Sequence, residues 1–187
     1  VEPKLFQLLR DSVRYSEETG GAFDITVGSL VKAWGFFRGQ GRVPSRTELV
    51  QMRQRTGYRH LRLDAAGRTI RFDRPGIELD LGGIAKGYAV DRAVEILRMN
   101  GIMSALVSAG TSSIYALGSP PGQRAWTVTL RDPFDAKRPA DILHLKNCSL
   151  SNSGSYERFF QLGRKTYSHI LNPVSYTHLT LPTNREV

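Results

Sequence analysis

The chain has 187 residues, of which 40% are hydrophobic and 23% charged, a composition that favours a folded globular domain over a disordered segment. No apolar run is long enough to span a bilayer, and the single cysteine, Cys148, excludes an internal disulfide and a multi-cysteine metal site. The net charge of +9 is compatible with binding to nucleic acid, a membrane surface or a phosphorylated small molecule. The basic residues are scattered without interleaved aromatic residues. We therefore interpret them as a solvated basic face and expect no nucleic-acid partner.

The N-terminal part of the chain is predicted to contain three helical segments and a β-hairpin. A helix from Glu2 to Thr19 carries apolar residues at helical spacing on one face. A brief helical segment is expected from Ser29 to Phe36. A capping box opens a further short helix from Ser45 to Thr56, since a serine is followed three residues later by a glutamate. Alternating apolar and polar residues from His60 to Phe72, with a central turn, predict a hairpin.

The middle of the chain has the pattern of a short strand over Glu78–Leu81, a glycine turn and a helix over Ile84–Asn100. The pair Gly82-Gly83 lets the backbone approach a bound group, because neither residue has a Cβ atom. The positive end of the helix dipole and Lys86 in its first turn suit an anionic ligand, and Asp80 suits a ligand hydroxyl or ring N–H. The pattern matches neither common glycine-rich nucleotide motif, so a turn whose glycines serve packing alone explains it equally well.

The second half of the chain is predicted to be rich in strands. The expected strands are Met103–Val107 (buried), Ile114–Leu117, Trp126–Leu130, Ile142–Leu145 and Cys148–Ser151, and two further extended segments flank a turn at Gly163. Because these strands follow one another without intervening helices, we predict an α+β fold with packed helices and a mostly antiparallel sheet.

Three further groups of residues could carry chemistry. Phe23 beside Asp24 could stack on and hydrogen-bond a flat heterocycle, or could be a core phenylalanine next to a capping aspartate. The hydroxyl-rich stretch Ser151–Glu157 could line a phosphate or ribose site, or could be a simple turn. His169 could be the general base for a hydroxyl nucleophile, although a single histidine is more often structural.

Four segments in order resemble the ApbE family of flavin transferases. The segments that match the family's motifs are Gly21–Phe36 (G-x-F-D-x-T-V-G-x-L-V-x-x-W-G-F, with Ile25 where proline is commoner), Leu79–Asp91 (L-D-L-G-G-I-A-K-G-Y-A-V-D), Ser153–Phe160 (S-G-x-Y-E-R-x-F) and Ser168–Pro173 (S-H-I-x-[ND]-P). The resemblance covers about Lys4 to Ser175.

The resemblance implies an ApbE-like, T-fold-like domain and a specific reaction. Such enzymes use FAD as substrate with Mg²⁺, transfer FMN through a phosphoester bond to a Thr or Ser hydroxyl of an acceptor flavoprotein, and release AMP. The family's usual location is the periplasm or the outer face of the inner membrane, as a membrane-associated lipoprotein. Two alternatives stay open: an FAD pyrophosphatase that releases FMN and AMP, and a non-enzymatic flavin-binding module.

The resemblance also implies roles for particular residues. The residues implied to bind FAD are Ala22, Phe23, Asp24, Asp80, Lys86 and Ile170. Gly83 is implied to offer its carbonyl to Mg²⁺. His169 is implied to be the catalytic residue that activates the acceptor hydroxyl. A pyrophosphate substrate agrees with this set, since it needs cationic partners, charge neutralisation and a base for a weak nucleophile.

The sequence departs from the family pattern in two places. Residues Ala109–Ser112 stand where the family often has A-G-G-D, which removes a carboxylate from that loop. After Ser175 the chain no longer follows the family. We therefore expect residues 1–175 to be a partial transferase domain truncated at both ends, and residues 176–187 to be a non-native tail. A fragment without the family's other metal ligands is expected to be weakly active or inactive.

Overall fold

The computed structural model describes residues 1–37, 39, 41–110, 112–132, 135, 137–154 and 158–178. The chain divides into two units. The first unit is formed by Val1–Gly83 and the described residues from 158 onwards, and the second by Ile84–Gly154. Among the described residues, no helix combines the length and the apolar character that crossing a membrane requires.

In the described part of the chain, three helices precede a β-hairpin, and a fourth helix precedes a run of short strands. The helices are α1 (Pro3–Glu18), α2 (Gly28–Ala33), α3 (Arg46–Gln54) and α4 (Ala85–Met99), with a 3₁₀ turn at Tyr58–His60. The strands are β1 (Leu61–Asp64), β2 (Thr69–Phe72), β3 (Ala105–Ser108), β4 (Ser113–Leu117), β5 (Trp126–Arg131), β6 (Pro139–Leu145), β7 (Cys148–Ser151), β8 (Phe159–Leu162), β9 (Lys165–Ser168), β10 (Leu171–Asn172) and β11 (Thr177–His178).

The strands that pair with one another do so in antiparallel fashion. In the first unit β1 pairs with β2, β8 with β9, and β10 with β11. In the second unit β4 lies between β3 and β7, while β5 pairs with β6. The predicted α+β class with mostly antiparallel pairing is confirmed.

Local sequence signals explain where the helices begin. The side chain of Glu2 accepts a hydrogen bond from the amide of Leu5 and caps α1. At α3 the side chain of Ser45 accepts from the amide of Glu48, whose own carboxylate accepts from the Ser45 amide. The predicted first helix, the predicted capping box and the predicted hairpin from His60 to Phe72 are confirmed.

Each unit has its own small apolar core. In the first unit Leu9 of α1, Ile25 and Leu61 of β1 are buried together. In the second unit Val90 and Val94, one helical turn apart on α4, are buried against Leu117 of β4. Each core thus lies within its own unit.

One strand prediction is wrong, and a second is wrong in its first residues and in its burial. Residues Glu78–Leu81 do not form a strand, since they meet an irregular segment through one isolated bridge between Val27 and Glu78 and one further bond from the Asp80 amide to the Ile25 carbonyl. The strand predicted to be buried from Met103 begins at Ala105, and Met103 is 66% exposed. Here only one side of the strand packs on the core, so alternate residues remain exposed.

An aromatic cluster fixes the hairpin of β8 and β9 within the first unit. Phe160 of β8 and Tyr167 of β9 stack with ring centroids 5.0 Å apart. Trp34 lies 5.7 Å from Tyr167, and Phe36 lies 5.5 Å from Phe160. The loop after α2 passes so close that a Cβ atom on Gly41 would lie 2.0 Å from the Phe160 ring. The cluster thereby holds the end of β9, immediately before His169.

Candidate functional site

The segment from Ala22 to Asp24 follows α1 directly. Gly20 and Gly21 have φ angles of 60° and 87°, which reverse the chain after the helix. The Phe23 amide donates to the Thr19 hydroxyl at 3.1 Å, and the Phe23 ring meets the Tyr15 ring edge-on at 6.4 Å between centroids. The helix end therefore fixes both the backbone and the ring of Phe23.

Asp24 is buried, and both of its carboxylate oxygens are hydrogen-bonded to the protein itself. Oδ1 accepts from the amide and the hydroxyl of Thr26, at 2.8 and 2.6 Å. Oδ2 accepts from the amide of Tyr58 at 2.7 Å, and the Thr26 hydroxyl in turn accepts from the Gly57 amide at 2.6 Å. The structure thus shows Asp24 joining two distant loops, while a contact with FAD stays a prediction.

The turn after Asp80 lies next to Phe23. The Asp80 carboxylate accepts from the Gly82 amide at 2.7 Å through Oδ1, and Oδ2 has no hydrogen-bond partner among the described residues. A Cβ atom on Gly83 would lie 3.2 Å from the Phe23 ring. The glycine at 83 therefore lets the ring pack against the turn, and the structure brings residues 22–24 and 80–83 together.

Lys86 lies in the first turn of α4, in the second unit. Its ammonium donates to the Ser112 hydroxyl at 2.5 Å. The Ser112 carbonyl accepts from Asn152 and Ser151, so the loop that carries this hydroxyl is itself held in place. Ile84, which precedes α4, provides no side-chain cap, and the first turn contains no acidic residue. The positive charge of Lys86 is thus paired with a neutral hydroxyl.

His169 directly follows β9, and Ile170 follows it in a half-buried position. Nδ1 of His169 lies 3.1 Å from the Arg158 carbonyl, which also accepts from the His169 amide at 3.0 Å. A carbonyl oxygen has no proton to donate, so Nδ1 carries the hydrogen. The neutral ring therefore has its lone pair on Nε2, which has no hydrogen-bond partner in the described part of the chain.

Several residues that shape the site were not predicted to do so. Thr26 could have been found from its spacing, because an aspartate two residues before a hydroxyl residue is typical of a local side-chain turn. Tyr58 and Ser112 had no such signal, since they lie 34 and 26 residues from the side chains that they hold. The residues 155–157 of the predicted hydroxyl-rich loop, and 179–187 of the predicted tail, lie outside the described residues.

Comparison with known proteins shows the family to which these site segments belong. The model of the ApbE family matches residues 1–179. The chain belongs to the ApbE family. It is 35% identical to the FAD:protein FMN transferase of Treponema pallidum and also 35% identical to that of Rhodobacter capsulatus, with 94% and 92% of this chain covered.

Solved ApbE structures share the fold. The crystal structure of the ApbE protein from Thermotoga maritima superposes with a TM-score of 0.87 at 35% identity, over 95% of this chain and 58% of that one. The flavin transferase ApbE from Vibrio cholerae gives 0.82 at 31% identity, over 96% of this chain and 57% of that one. This chain spans 52% of the Treponema relative and 33% of the Rhodobacter relative.

Proposed function

We propose that this chain is part of an enzyme that transfers FMN from FAD to a Thr or Ser hydroxyl of an acceptor flavoprotein and releases AMP. The observation that carries the proposal is the match to relatives named FAD:protein FMN transferase over more than nine-tenths of the chain. The site residues support it, because they supply an aromatic ring, a cation and a histidine with an available nitrogen.

His169 is proposed as the general base. Its Nε2 atom takes the proton of the acceptor hydroxyl as the hydroxyl oxygen attacks the phosphorus of the FMN half of FAD. A new O–P bond forms, the pyrophosphate bond breaks, and AMP leaves with the bridging oxygen. The hydrogen bond from Nδ1 to the Arg158 carbonyl supports this role, because it keeps the basic lone pair on Nε2.

Phe23, Asp80 and Lys86 are proposed to bind FAD. The Phe23 ring is already fixed by Tyr15, so stacking on the flavin costs little additional side-chain order. The free oxygen of Asp80 suits a hydroxyl or ring N–H of the ligand. The Lys86 ammonium would attract the pyrophosphate charge, and Ser112 would orient it. Ala22, Asp24 and Ile170 are likewise proposed to contact FAD.

Mg²⁺ enters the proposal as a requirement of the whole enzyme. Among the described residues there is no group of three His, Cys, Asp or Glu side chains that could hold a metal ion. The Gly83 carbonyl could contribute one oxygen, but an octahedral Mg²⁺ site needs a larger set of oxygen ligands. The residues present do not fit a complete metal site, so we assign no step of the reaction through the metal.

The test combines the full-length protein with FAD, Mg²⁺ and an acceptor protein that carries a target threonine. The expected product is a fluorescent acceptor band on a denaturing gel, together with AMP. The variant His169→Gln should lose the band, whereas an acceptor with its threonine replaced by valine is the matched substrate control. FMN and AMP formed equally without the acceptor would replace the proposal with FAD hydrolysis, and tight FAD binding without either product would indicate a binding module.

We further propose a location in the periplasm or on the outer face of the inner membrane. The support is family membership alone. Fractionation of cells that express the full-length gene, followed by immunoblotting of each fraction, tests it. Recovery of the protein in the cytoplasmic fraction would contradict the proposal.

A further inference from the structure

The segment from residue 38 to residue 76 accounts for most of the chain's net positive charge. It contains ten arginines, no lysine and three acidic residues, so it contributes +7 to the net charge of +9. Arginine differs from lysine in presenting a planar fork of donors that matches carboxylates and phosphates. The segment therefore differs from a general basic surface in the geometry that it offers to anions.

The three acidic residues of the segment are already occupied. Glu48 binds Arg42 through both carboxylate oxygens, at 2.6 and 3.1 Å. Asp73 lies 3.1 Å from Arg62 and also contacts a histidine. Asp64 accepts two backbone amides in the hairpin turn. Within this segment, little negative charge is thus left to neutralise the remaining guanidinium groups.

Four exposed arginines of this segment lie along one connected region, which we call the arginine patch: Arg55, Arg62, Arg71 and Arg74. The Arg55 side chain packs over Gly76, with Cδ 3.0 Å from the position that a Cβ atom would take there. Arg74 lies two residues before that glycine. Arg62 and Arg71 stand directly opposite each other across the hairpin of β1 and β2. Packing of Arg55 on Gly76 and pairing of Arg62 with Arg71 thus bring these segments together, and Arg74 lies between Arg71 and Gly76 in the chain.

The pairing of Arg62 with Arg71 across the hairpin does not stabilise the fold. Like charges directly opposite each other on an antiparallel pair destabilise it. Asp73 offsets the charge of Arg62, whereas Arg71 has no ion-pair or hydrogen-bond partner among the described residues. An anionic ligand from outside the chain would remove this repulsion.

An open surface cavity of about 420 Å³ is lined by residues 72–77, of which Arg74 belongs to the patch. Its walls include the side chains of Phe72, Pro75 and Ile77. Such a cavity can take one apolar side chain of a bound protein segment. Binding to a membrane surface instead uses apolar side chains that project into the bilayer, and here the apolar groups line a cavity. This combination favours a protein ligand over a lipid surface.

We propose that the arginine patch and this cavity form a docking surface for an acidic segment of a partner protein. One apolar side chain of the partner enters the cavity, and carboxylates on either side of it bind the guanidinium groups. None of the residues of this surface is among those proposed to bind FAD, so the proposal does not depend on the flavin chemistry.

The test uses the chain as it stands and a fluorescein-labelled peptide with a central leucine flanked by aspartates and glutamates. Fluorescence anisotropy should show binding that weakens when salt is raised from about 0.1 M to about 1 M, because the Debye length falls from about 10 Å to about 3 Å. The same peptide with asparagine and glutamine in place of the acids, and one with glycine in place of leucine, should both bind more weakly.

The decisive variant is Arg71→Glu. It places an acid opposite Arg62, so hairpin stability should be kept or raised while peptide affinity falls by about tenfold, the loss of one favourable charge contact and the gain of a repulsive one. Arg124→Glu changes the net charge equally but lies in the other unit, and it should leave binding unchanged.

Two results would overturn the proposal. Equal peptide affinity for Arg71→Glu and Arg124→Glu would show that only net charge matters. Binding to vesicles of phosphatidylserine and phosphatidylcholine that Arg71→Glu abolishes, with no binding of the peptide, would assign the patch to a membrane surface instead. Neither result would bear on FMN transfer, which is measured separately.

Discussion

Replacing Thr26 with valine tests whether the buried network around Asp24 holds the candidate site. Valine has nearly the same shape as threonine, so the change removes a hydroxyl without opening a cavity. Thr26 is fully buried, and its hydroxyl both donates to the Asp24 carboxylate and accepts from the Gly57 amide, each at 2.6 Å.

The expected loss of stability follows from these two contacts. A hydrogen bond to a charged group contributes about 1.5–3 kcal/mol, and a buried donor left without a partner costs about 1–3 kcal/mol. Since the two costs overlap, we expect Thr26→Val to lower the free energy of unfolding by about 3 kcal/mol. Thr26→Ser keeps both hydrogen bonds and should cost only about 1 kcal/mol, the value of one buried methyl group.

Urea unfolding followed by tryptophan fluorescence measures both variants under the same conditions. A thermal scan offers a second reading, in which about 3 kcal/mol corresponds to a fall of about 6–12 °C for a chain of this size. If Thr26→Val were no less stable than Thr26→Ser, the Thr26 hydroxyl would not stabilise the hydrogen bonds around Asp24. Our interpretation of Asp24 as the link between two loops would then be wrong.

Three further predictions follow from single contacts. Gly41→Ala should destabilise the first unit by about 1–3 kcal/mol, because its Cβ would overlap the Phe160 ring; an unchanged urea midpoint would contradict the aromatic cluster. Gly87→Ala is the matched control in α4, because its added Cβ would meet no atom of the described residues within 4 Å, and it should stabilise the helix by about 0.5–1 kcal/mol. A simultaneous loss of FAD affinity would show that a ligand needs that space. The Arg42 guanidinium holds the pKa of Glu48 at about 2, below its ordinary 4.5. The stability that the ionised Glu48 contributes to the folded state is therefore present above pH 4.5 and is lost as the pH falls towards 2. The difference in melting temperature between wild type and Glu48→Gln should therefore shrink over that range, and a difference that does not change with pH would exclude this linkage.

The elements that the sequence predicts well depend on neighbours in the chain. The helix α1, the capping box of α3 and the hairpin of β1 and β2 are set by spacing and by residues three or four positions apart. The segment Glu78–Leu81 has the composition of a strand, but its partner is an irregular loop about fifty residues away. Nothing in the local pattern could show that only one isolated bridge would form there.

The candidate site likewise contains residues that the sequence could indicate and partners that it could not. The motifs place Phe23, Asp80 and Gly83 in segments that the structure brings together, and helical spacing alone places Lys86 in the first turn of α4. The partners of these groups were not predictable, because Tyr58 reaches Asp24 through tertiary folding. The tautomer of His169 is likewise set by the main-chain carbonyl of Arg158, which lies just before β8. The sequence therefore indicated candidate groups, and only the structure shows which of their atoms lack a partner among the described residues.

The distinction between free and occupied atoms separates two kinds of candidate residue. Asp24 has both oxygens bonded within the protein, so Asp24→Asn must place an amide N–H₂ against a backbone or side-chain donor and should lose stability first. His169 has one nitrogen bonded and one without a partner in the part of the chain that the structure describes. His169→Asn, which can keep the bond of Nδ1, should therefore retain the wild-type unfolding midpoint while losing FMN transfer. Measuring stability and transfer for both variants of the full-length protein tests the division directly. If His169→Asn kept full activity, the base would have to be another group, whereas a loss of activity by Asp24→Asn at unchanged stability would mean that the aspartate acts on the ligand itself.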